Sequence, residues 1–348
     1  MMSLRRAIFA PRSGLGGRGL PRRHAIRLLA ASATTTLALA ACQPARLIRR
    51  DPGRRLVVRI NLYTSAAYAP LLQMRERRLL ETELPGLNVE WKIIPAAESV
   101  NQALREGGVD LATGAPTAFL MARETGLPVR LISGIGALPC TILGRVGLRS
   151  LGGIRANERI AVPDEQSLEA AVLQLAALRE LGDAQALNPN TVVRSHSEAL
   201  PALKLGNELA AHVAVTPYLE LELEGTGPGR LIDSRDLFGG LATTAVAYAL
   251  PSLRERSGPI LDAFTSALAE AVRITASDPV GTARLLTEGE DLHAAPERIG
   301  EILARSGWQP GARLTGVTRI AELWRRTDRL HNPSETWTEL AFDGVQGN

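Results

Sequence analysis

From Leu56 to about residue 250, short β-rich runs alternate with amphipathic helical runs, and this alternation restricts the fold more than any other feature of the chain. "LVVRINLY" (residues 56–63) has strand character, and "YAPLLQMRERRLLETE" carries apolar residues at helical spacing as far as Pro85-Gly86. "LNVEWKII" alternates as a strand does. "AAESVNQALREGG" predicts a helix stopped by Gly107-Gly108, because glycine accepts the left-handed conformation after a last turn. The strand "VDLAT", the helix "GAPTAFLMARETG" with proline in its first turn, and the strand "PVRLIS" complete the first set. Strands joined by helices at this spacing pair in parallel through right-handed crossovers, which predicts an α/β fold.

The pattern then restarts. "RIAVP" predicts a strand, and "DEQSLEAAVLQLAALRELG" a helix with Leu168, Val172, Leu175 and Leu178 on one face and Gly182 as its stop. "TVVRSH", "SEALPALKLG", "AHVAVT", "RLID" and "TTAVAYAL" read as strand, helix and three further strands. Beyond Pro251 the chain is helical, with Ile260, Leu261, Phe264, Leu268 and Val272 on one face, further helices near 279–288, 296–306 and 315–330, and a loosely held tail over 333–348. "LREGGVDLATGAPTAFL" and "LKLGNELAAHVAVTPYLEL" echo each other: each runs from a helix end through a strand to a small or hydroxyl residue, a proline and a new helix. Open sheets place ligands where strands deliver the chain to fresh helix N-termini, because unpaired N–H groups and partial positive charge collect there.

Residues 1–41 contain seven arginines and no Asp or Glu, followed from Leu28 to Leu39 by an apolar run of signal-peptide length, too short to span a bilayer. Leu39-Ala40-Ala41-Cys42 resembles a bacterial lipobox, so the expectation is a signal peptide over 1–41, lipidation of Cys42 and a tether over 42–55. Arg22-Arg23 before an Ala- and Thr-rich stretch resembles a twin-arginine export signal. Without the leader, 33 basic side chains face 36 acidic ones, a net charge of −3, which leaves no basic stripe for nucleic acid. The arginines between 46 and 55 read as a solvated linker. With Cys42 acylated, Cys140 in "LPCTILG" has no disulfide partner and reads as an inert buried thiol. The remaining length suits two lobes.

Between Tyr68 and Ser133, the "ELPGLNVEWK" strand, the "G-x-x-D-x-A-x-G-x-P" turn and the "A-x-x-x-G-x-P-V" passage resemble the substrate-binding proteins of bacterial ABC importers, in the nitrate/sulfonate/taurine (NMT1/THI5-like) group. The resemblance extends over residues 56–310 and weakens in the second half, where "GNELAAHVAVTPY" stands in place of an Asp-Ala pair and His212 departs from the pattern. It implies a two-lobed periplasmic binding protein-like fold of type II, each lobe a mixed sheet flanked by helices. One lobe would comprise 56–145 and 243–332, with the C-terminal helices on it, and the other 146–242. With the lipobox and the charge balance, it leads to the expectation of a monomeric, lipid-anchored extracytoplasmic protein that carries a small ligand to an ABC permease and its ATPase, with no cofactor, metal or nucleic acid.

Geometry and resemblance together select the ligand-binding candidates. Tyr63, Thr64, Ser65 and Tyr68 follow the first strand, and Gly114, Ala115, Pro116 and Thr117 form the second turn. Opposite them, Gln166 and Ser167 open one helix, and Thr216 and Tyr218 flank Pro217. Such hydroxyls and helix N-termini hold a sulfonate or nitrate without a full positive charge, while Tyr63 and Tyr68 would also flank a pyrimidine-like ligand. An enzyme of the same architecture acting on a pyrimidine or aromatic precursor, and a lipid-anchored sensor, are the alternatives. Against catalysis, the five histidines show no metal-ligand spacing and no G-x-S-x-G, H-E-x-x-H or P-loop occurs; His196, beside Ser195 and Ser197, reads as a surface turn.

Overall fold

The computed structural model describes residues 56–348 except 62–64, 95, 207–208, 226, 290–291, 293, 312, 332–335 and 348. The leader, Cys42, the tether, Tyr63 and Thr64 therefore lie outside the described residues. The first run comprises β1 (Leu56–Asn61), a 3-10 turn (Ala66–Tyr68), α1 (Ala69–Glu76), α2 (Leu79–Glu83), β2 (Leu87–Lys92), α3 (Ala97–Arg105), β3 (Leu111–Gly114), α4 (Pro116–Glu124) and β4 (Arg130–Ala137). The second comprises β5 (Cys140–Gly144), β6 (Arg159–Val162), α5 (Leu168–Leu181), β7 (Thr191–Val193), α6 (His196–Leu205), β8 (Leu209–Val215), α7 (Tyr218–Glu222), β9 (Gly229–Asp233) and α8 (Ser234–Phe238). After these come β10 (Thr243–Ala249), α9 (Pro251–Ser277), α10 (Pro279–Gly289), α11 (Pro296–Arg305), β11 (Gln309–Pro310), α12 (Val317–Arg326) and α13 (Trp337–Leu340).

The strands form a six-stranded sheet, ordered β11-β4-β10-β3-β1-β2, and a five-stranded sheet, ordered β7-β6-β8-β5-β9. β1 runs parallel to β2 and β3, and β6 parallel to β7 and β8. β10 is antiparallel to β3 and β4, and β5 to β8 and β9, so both sheets are mixed. The chain passes between the sheets at residues 138–139 and again at 239–242. Because β4 and β10 are neighbours, with Thr243 opposite Ala137, the two passages lie side by side, and the Leu138 N–H donates to Thr244 Oγ1 at 3.0 Å.

Three sequence expectations shift. The strand Cys140–Gly144 already pairs with β8 in the second sheet, so the crossing comes before Cys140 instead of after Arg145. The helix expected after Tyr68 breaks where Arg78 adopts φ +51°; turning there buries Leu80 among α9 and β2 while the corner at Glu76–Arg78 faces water. The segment expected as a loose tail is packed: Leu340, Ala341 and Phe342 are buried, the Phe342 N–H donates to Leu131 O at 2.9 Å, and Trp337 Nε1 donates to Val345 O at 2.9 Å. Its apolar residues are too few and too unevenly spaced to announce that docking in the sequence.

Elsewhere the local physics follows the reading. Gly107 and Gly182 take left-handed conformations behind α3 and α5. The Asp110 carboxylate of the "G-x-x-D" turn accepts the Arg59 N–H at 3.0 Å, tying the start of β3 to β1. Ile260, Leu261, Phe264 and Leu268 of α9 are buried. Gly136 on β4 lies beneath the 3-10 turn, where a Cβ would stand 2.7 Å from Ala67 O. Gly136→Ala must therefore push that turn off the sheet, and it is expected to lower stability by about 1–3 kcal/mol in chemical denaturation; an unchanged midpoint would mean that the turn is free to move.

Candidate functional site

The site is built where the carboxyl ends of β1 and β3 hand the chain to helices. Asn61, the last residue of β1, is fully buried; its Nδ2 donates to Thr113 O at 2.8 Å, its Oδ1 accepts the Thr113 N–H, and Thr113 Oγ1 donates to Asn61 O at 3.0 Å. β1 and β3 share direct ladder pairing at Ile60 and Leu111, so these bonds extend the pairing to the strand ends. They fix the point from which residues 114–117 start. Behind them, buried Tyr248 donates through its hydroxyl to Asn101 Oδ1 at 2.8 Å, and Asn101 Nδ2 donates to Ala118 O at 3.1 Å, which holds α4 against β10. Neither Asn61 nor Tyr248 figures among the sequence candidates; a polar residue closing an otherwise apolar strand was the available signal for Asn61.

Gly114 ends β3, Ala115 caps α4, and Pro116 occupies its first position, where the missing N–H costs nothing. Thr117, next in the helix, is fully buried, and its hydroxyl donates to Gln166 O. That bond crosses from the first sheet's helices to the second's. Ser167 caps α5 by accepting the Ala170 N–H at 3.1 Å, so the N-terminal ends of α4 and α5 meet at the line between the sheets. Gln166 Oε1 is buried there without a hydrogen-bond partner. Ser65 is half-buried at the head of the 3-10 turn and Tyr68 is buried at the start of α1, both beside β4 and β10. Three bonds flank the line: Trp324 Nε1 donates to Gln174 Oε1 at 3.2 Å, Gln185 Nε2 to Thr327 O at 3.3 Å, and Arg298 Nη2 contacts Glu224 at 2.6 Å.

Thr216 and Tyr218 lead into a feature that the sequence reading misplaces. His196 is no surface turn. It stands in the first position of α6, behind a Ser195–Glu198 capping box, with its side chain 12% exposed. Its Nδ1 lies 2.9 Å from His212 Nε2, and its Nε2 lies 3.5 Å from Glu169 Oε1 on the first turn of α5. His212, fully buried on β8, places Nδ1 2.5 Å from the Glu222 carboxylate on α7, also fully buried. Tyr218 is buried and stacks on His196, ring centroids 5.2 Å apart and planes inclined by 27°. Thr216 Oγ1 donates to Glu220 at 3.1 Å. The spacing of 16 residues between the histidines hides their contact, because it is made across α6 and β8.

Burial governs the charges of this cluster. It raises the Glu222 pKa to about 8, offset in part by Lys204, and it holds His212 well below the ordinary histidine range. Burial also acts to raise Glu169, but the hydrogen bond from His196, with Ser167 and backbone donors, more than offsets this and lowers it. The consistent order near neutrality is a protonated Glu222 donating to His212 Nδ1, His212 Nε2–H donating to His196 Nδ1, and His196 Nε2–H facing the Glu169 carboxylate. Cys140 is fully buried with its thiol pKa raised by burial, Glu169 and Asp233, as suits an inert thiol. The cluster is linear, and among the described residues no group of three or more His, Cys, Asp or Glu side chains is placed to hold a metal ion.

No family model matches the chain, and no curated protein matches it in sequence. Solved structures do. The alkanesulfonate-binding protein SsuA from Xanthomonas axonopodis, bound to MOPS, aligns over 79% of this chain and 94% of its own at 21% identity with a TM-score of 0.63. The periplasmic aliphatic sulphonate-binding protein SsuA from Escherichia coli aligns over 83% and 93% at 18% identity and 0.64. The periplasmic nitrate-binding protein NrtA from Synechocystis aligns over 69% and 68% at 11% identity and 0.53. The chain thus has the periplasmic binding protein-like fold of these solute-binding proteins, in agreement with the group that its sequence resembles.

The buried acid fixes a pH dependence. Glu222 has a raised folded-state pKa, so its contribution to stability is present below 4.5 and is lost as pH rises towards about 8. His212, with a lowered one, contributes above 6.5 and loses that contribution as pH falls. Between the two, only Glu222 acts within this pair, and the protein is expected to lose about 2 kcal/mol from pH 6.5 to pH 8. Urea denaturation at both pH values should show this loss in the wild type and its absence in Glu222→Gln; an equal loss in both would contradict the assignment.

Proposed function

We propose that the chain is an extracytoplasmic solute-binding lipoprotein of an ABC importer, which captures a small oxyanion of the sulfonate or nitrate kind between two lobes and delivers it to a permease. The observation that carries this reading is the Thr117–Gln166 bond, which sets the starts of α4 and α5 against each other from opposite sheets. An oxyanion wedged between two helix starts receives backbone N–H groups and two favourable dipole ends without needing a lysine or arginine. The lobes in this reading are 56–139 with 243–348, and 140–242, hinged on the paired passages beside β4 and β10. Gly114, Ala115, Pro116 and Thr117 would supply one wall, Gln166, Ser167, Thr216 and Tyr218 the other, with Ser65 and Tyr68 at one end.

Export through the leader over 1–41, by the twin-arginine route, and acylation of Cys42 would keep the binder beside its permease; paired acyl chains hold stably where a single chain does not. Among the described residues no helix is long and apolar enough to cross a membrane. The binding reading is favoured over catalysis because both ring nitrogens of His196, the one candidate for acid–base chemistry in the sequence, are already engaged by His212 and Glu169. The neighbours named above are likewise described as binding proteins.

Thermal-shift measurements on residues 42–348 with aliphatic sulfonates, nitrate, bicarbonate and pyrimidines should reveal one stabilising ligand class bound one per chain. Thr117→Val, which keeps the shape of the side chain and removes its donor, should weaken that ligand about 5- to 15-fold by calorimetry. Turnover of a bound compound, seen by mass spectrometry, would replace this reading with an enzymatic one.

A further inference from the structure

We propose that His196 and His212 are positioning residues for the cleft: held in one hydrogen-bonded line between Glu222 and Glu169, they fix Tyr218 and the first turn of α5, and ligand affinity follows the protonation of that line. The proposal rests on the solute-binding reading for its ligand, but its ligand-free readout stands alone.

The line has three contacts: Glu222 Oε1 with His212 Nδ1 at 2.5 Å, His212 Nε2 with His196 Nδ1 at 2.9 Å, and His196 Nε2 with Glu169 Oε1 at 3.5 Å. Each contact is satisfied by one proton, three in all. A fourth proton within the line sets two N–H or O–H donors face to face, and a missing one sets two lone pairs face to face. His212 and Glu222 are fully buried, so water does not repair a fault at either contact of His212. The line is therefore whole at one proton count.

His196 and the Glu169 end of that line reach the cleft walls. Tyr218 rests its ring on His196, and Glu169 belongs to the turn that begins with Ser167, directly after the Gln166 carbonyl that accepts from Thr117. The groups facing the line are few. α5 brings Glu169 itself, β5 the Cys140 thiol, and β6 the uncharged Ala161 opposite His212. α6 brings Lys204 towards Glu222, and its Glu198 is committed to Ser195. α7 brings Glu220, bonded to Thr216 and influenced by Arg230 of β9. The Glu222 carboxyl, raised by burial to about 8, releases its proton as pH rises through that range.

The test uses the full mature chain, residues 42–348, with 15N-labelled histidine, assigned by comparison with His196→Gln and His212→Gln. In the ligand-free wild type, His212 should be neutral with Nε2 protonated from pH 6.5 to 7.5, and both imidazoles should change together near pH 8. In Glu222→Gln, whose amide donates like the acid but has no proton to lose, they should stay unchanged to pH 9. Either histidine titrating by itself near its ordinary value overturns the proposal, and the wild-type spectra decide this even if the variant does not fold. In calorimetry with ethanesulfonate, wild-type affinity should fall about tenfold between pH 7 and pH 9, as the competent fraction falls, while Glu222→Gln stays within about twofold. Identical pH profiles overturn the proposal. If neither protein binds ethanesulfonate, the sulfonate reading fails, and the imidazole spectra alone decide whether the line exists.

Discussion

Everything in the molecule's geometry depends on β4 and β10 lying next to each other. Each is the strand that borders a passage to the second sheet, and their antiparallel pairing brings the two passages to one line. Two covalent links placed side by side leave the sheets one easy relative motion, rotation about the line that joins the links. The helix starts of α4 and α5 then need only point at that line to face each other, and the bond from Thr117 to Gln166 O shows that they do. The flanking bonds from Trp324, Gln185 and Arg298 brace the same arrangement on its sides.

The two walls are built by different physics. The first is held by neutral hydrogen bonds: Asn61 with Thr113 at the strand ends, and Tyr248 with Asn101 behind α4. Such a wall is indifferent to pH. The second encloses two carboxyl groups and two imidazoles almost entirely removed from water, where an unpaired charge would cost several kcal/mol. Sharing protons along the line avoids that cost, at the expense of tolerance to pH.

The alternation of strands and helices made the fold class legible, because periods of 2 and 3.6 are local properties of the chain. Gly182 as the stop of α5 and Pro116 as the start of α4 were legible for the same reason. Thr117 and Gln166 could be picked out as helix-start residues, but not as partners, since a contact across 49 residues leaves no local trace. His196 was misplaced for that reason too: a histidine between two serines looks like a turn until His212, Glu169 and Tyr218 close around it. The segment 336–347 was misread because its docking onto Leu131 and Leu314 is made by isolated bridges and one buried cluster, without any repeating pattern.

The most direct measurement of the central claim is the map of backbone amide shifts in 15N-labelled protein titrated with a stabilising sulfonate or nitrate. The account predicts the largest shifts at residues 114–118 and 166–170 together, at the same ligand concentration, because one solute touches both helix starts. Shifts confined to one of those segments, or centred on α12 with neither of them moving, would contradict it.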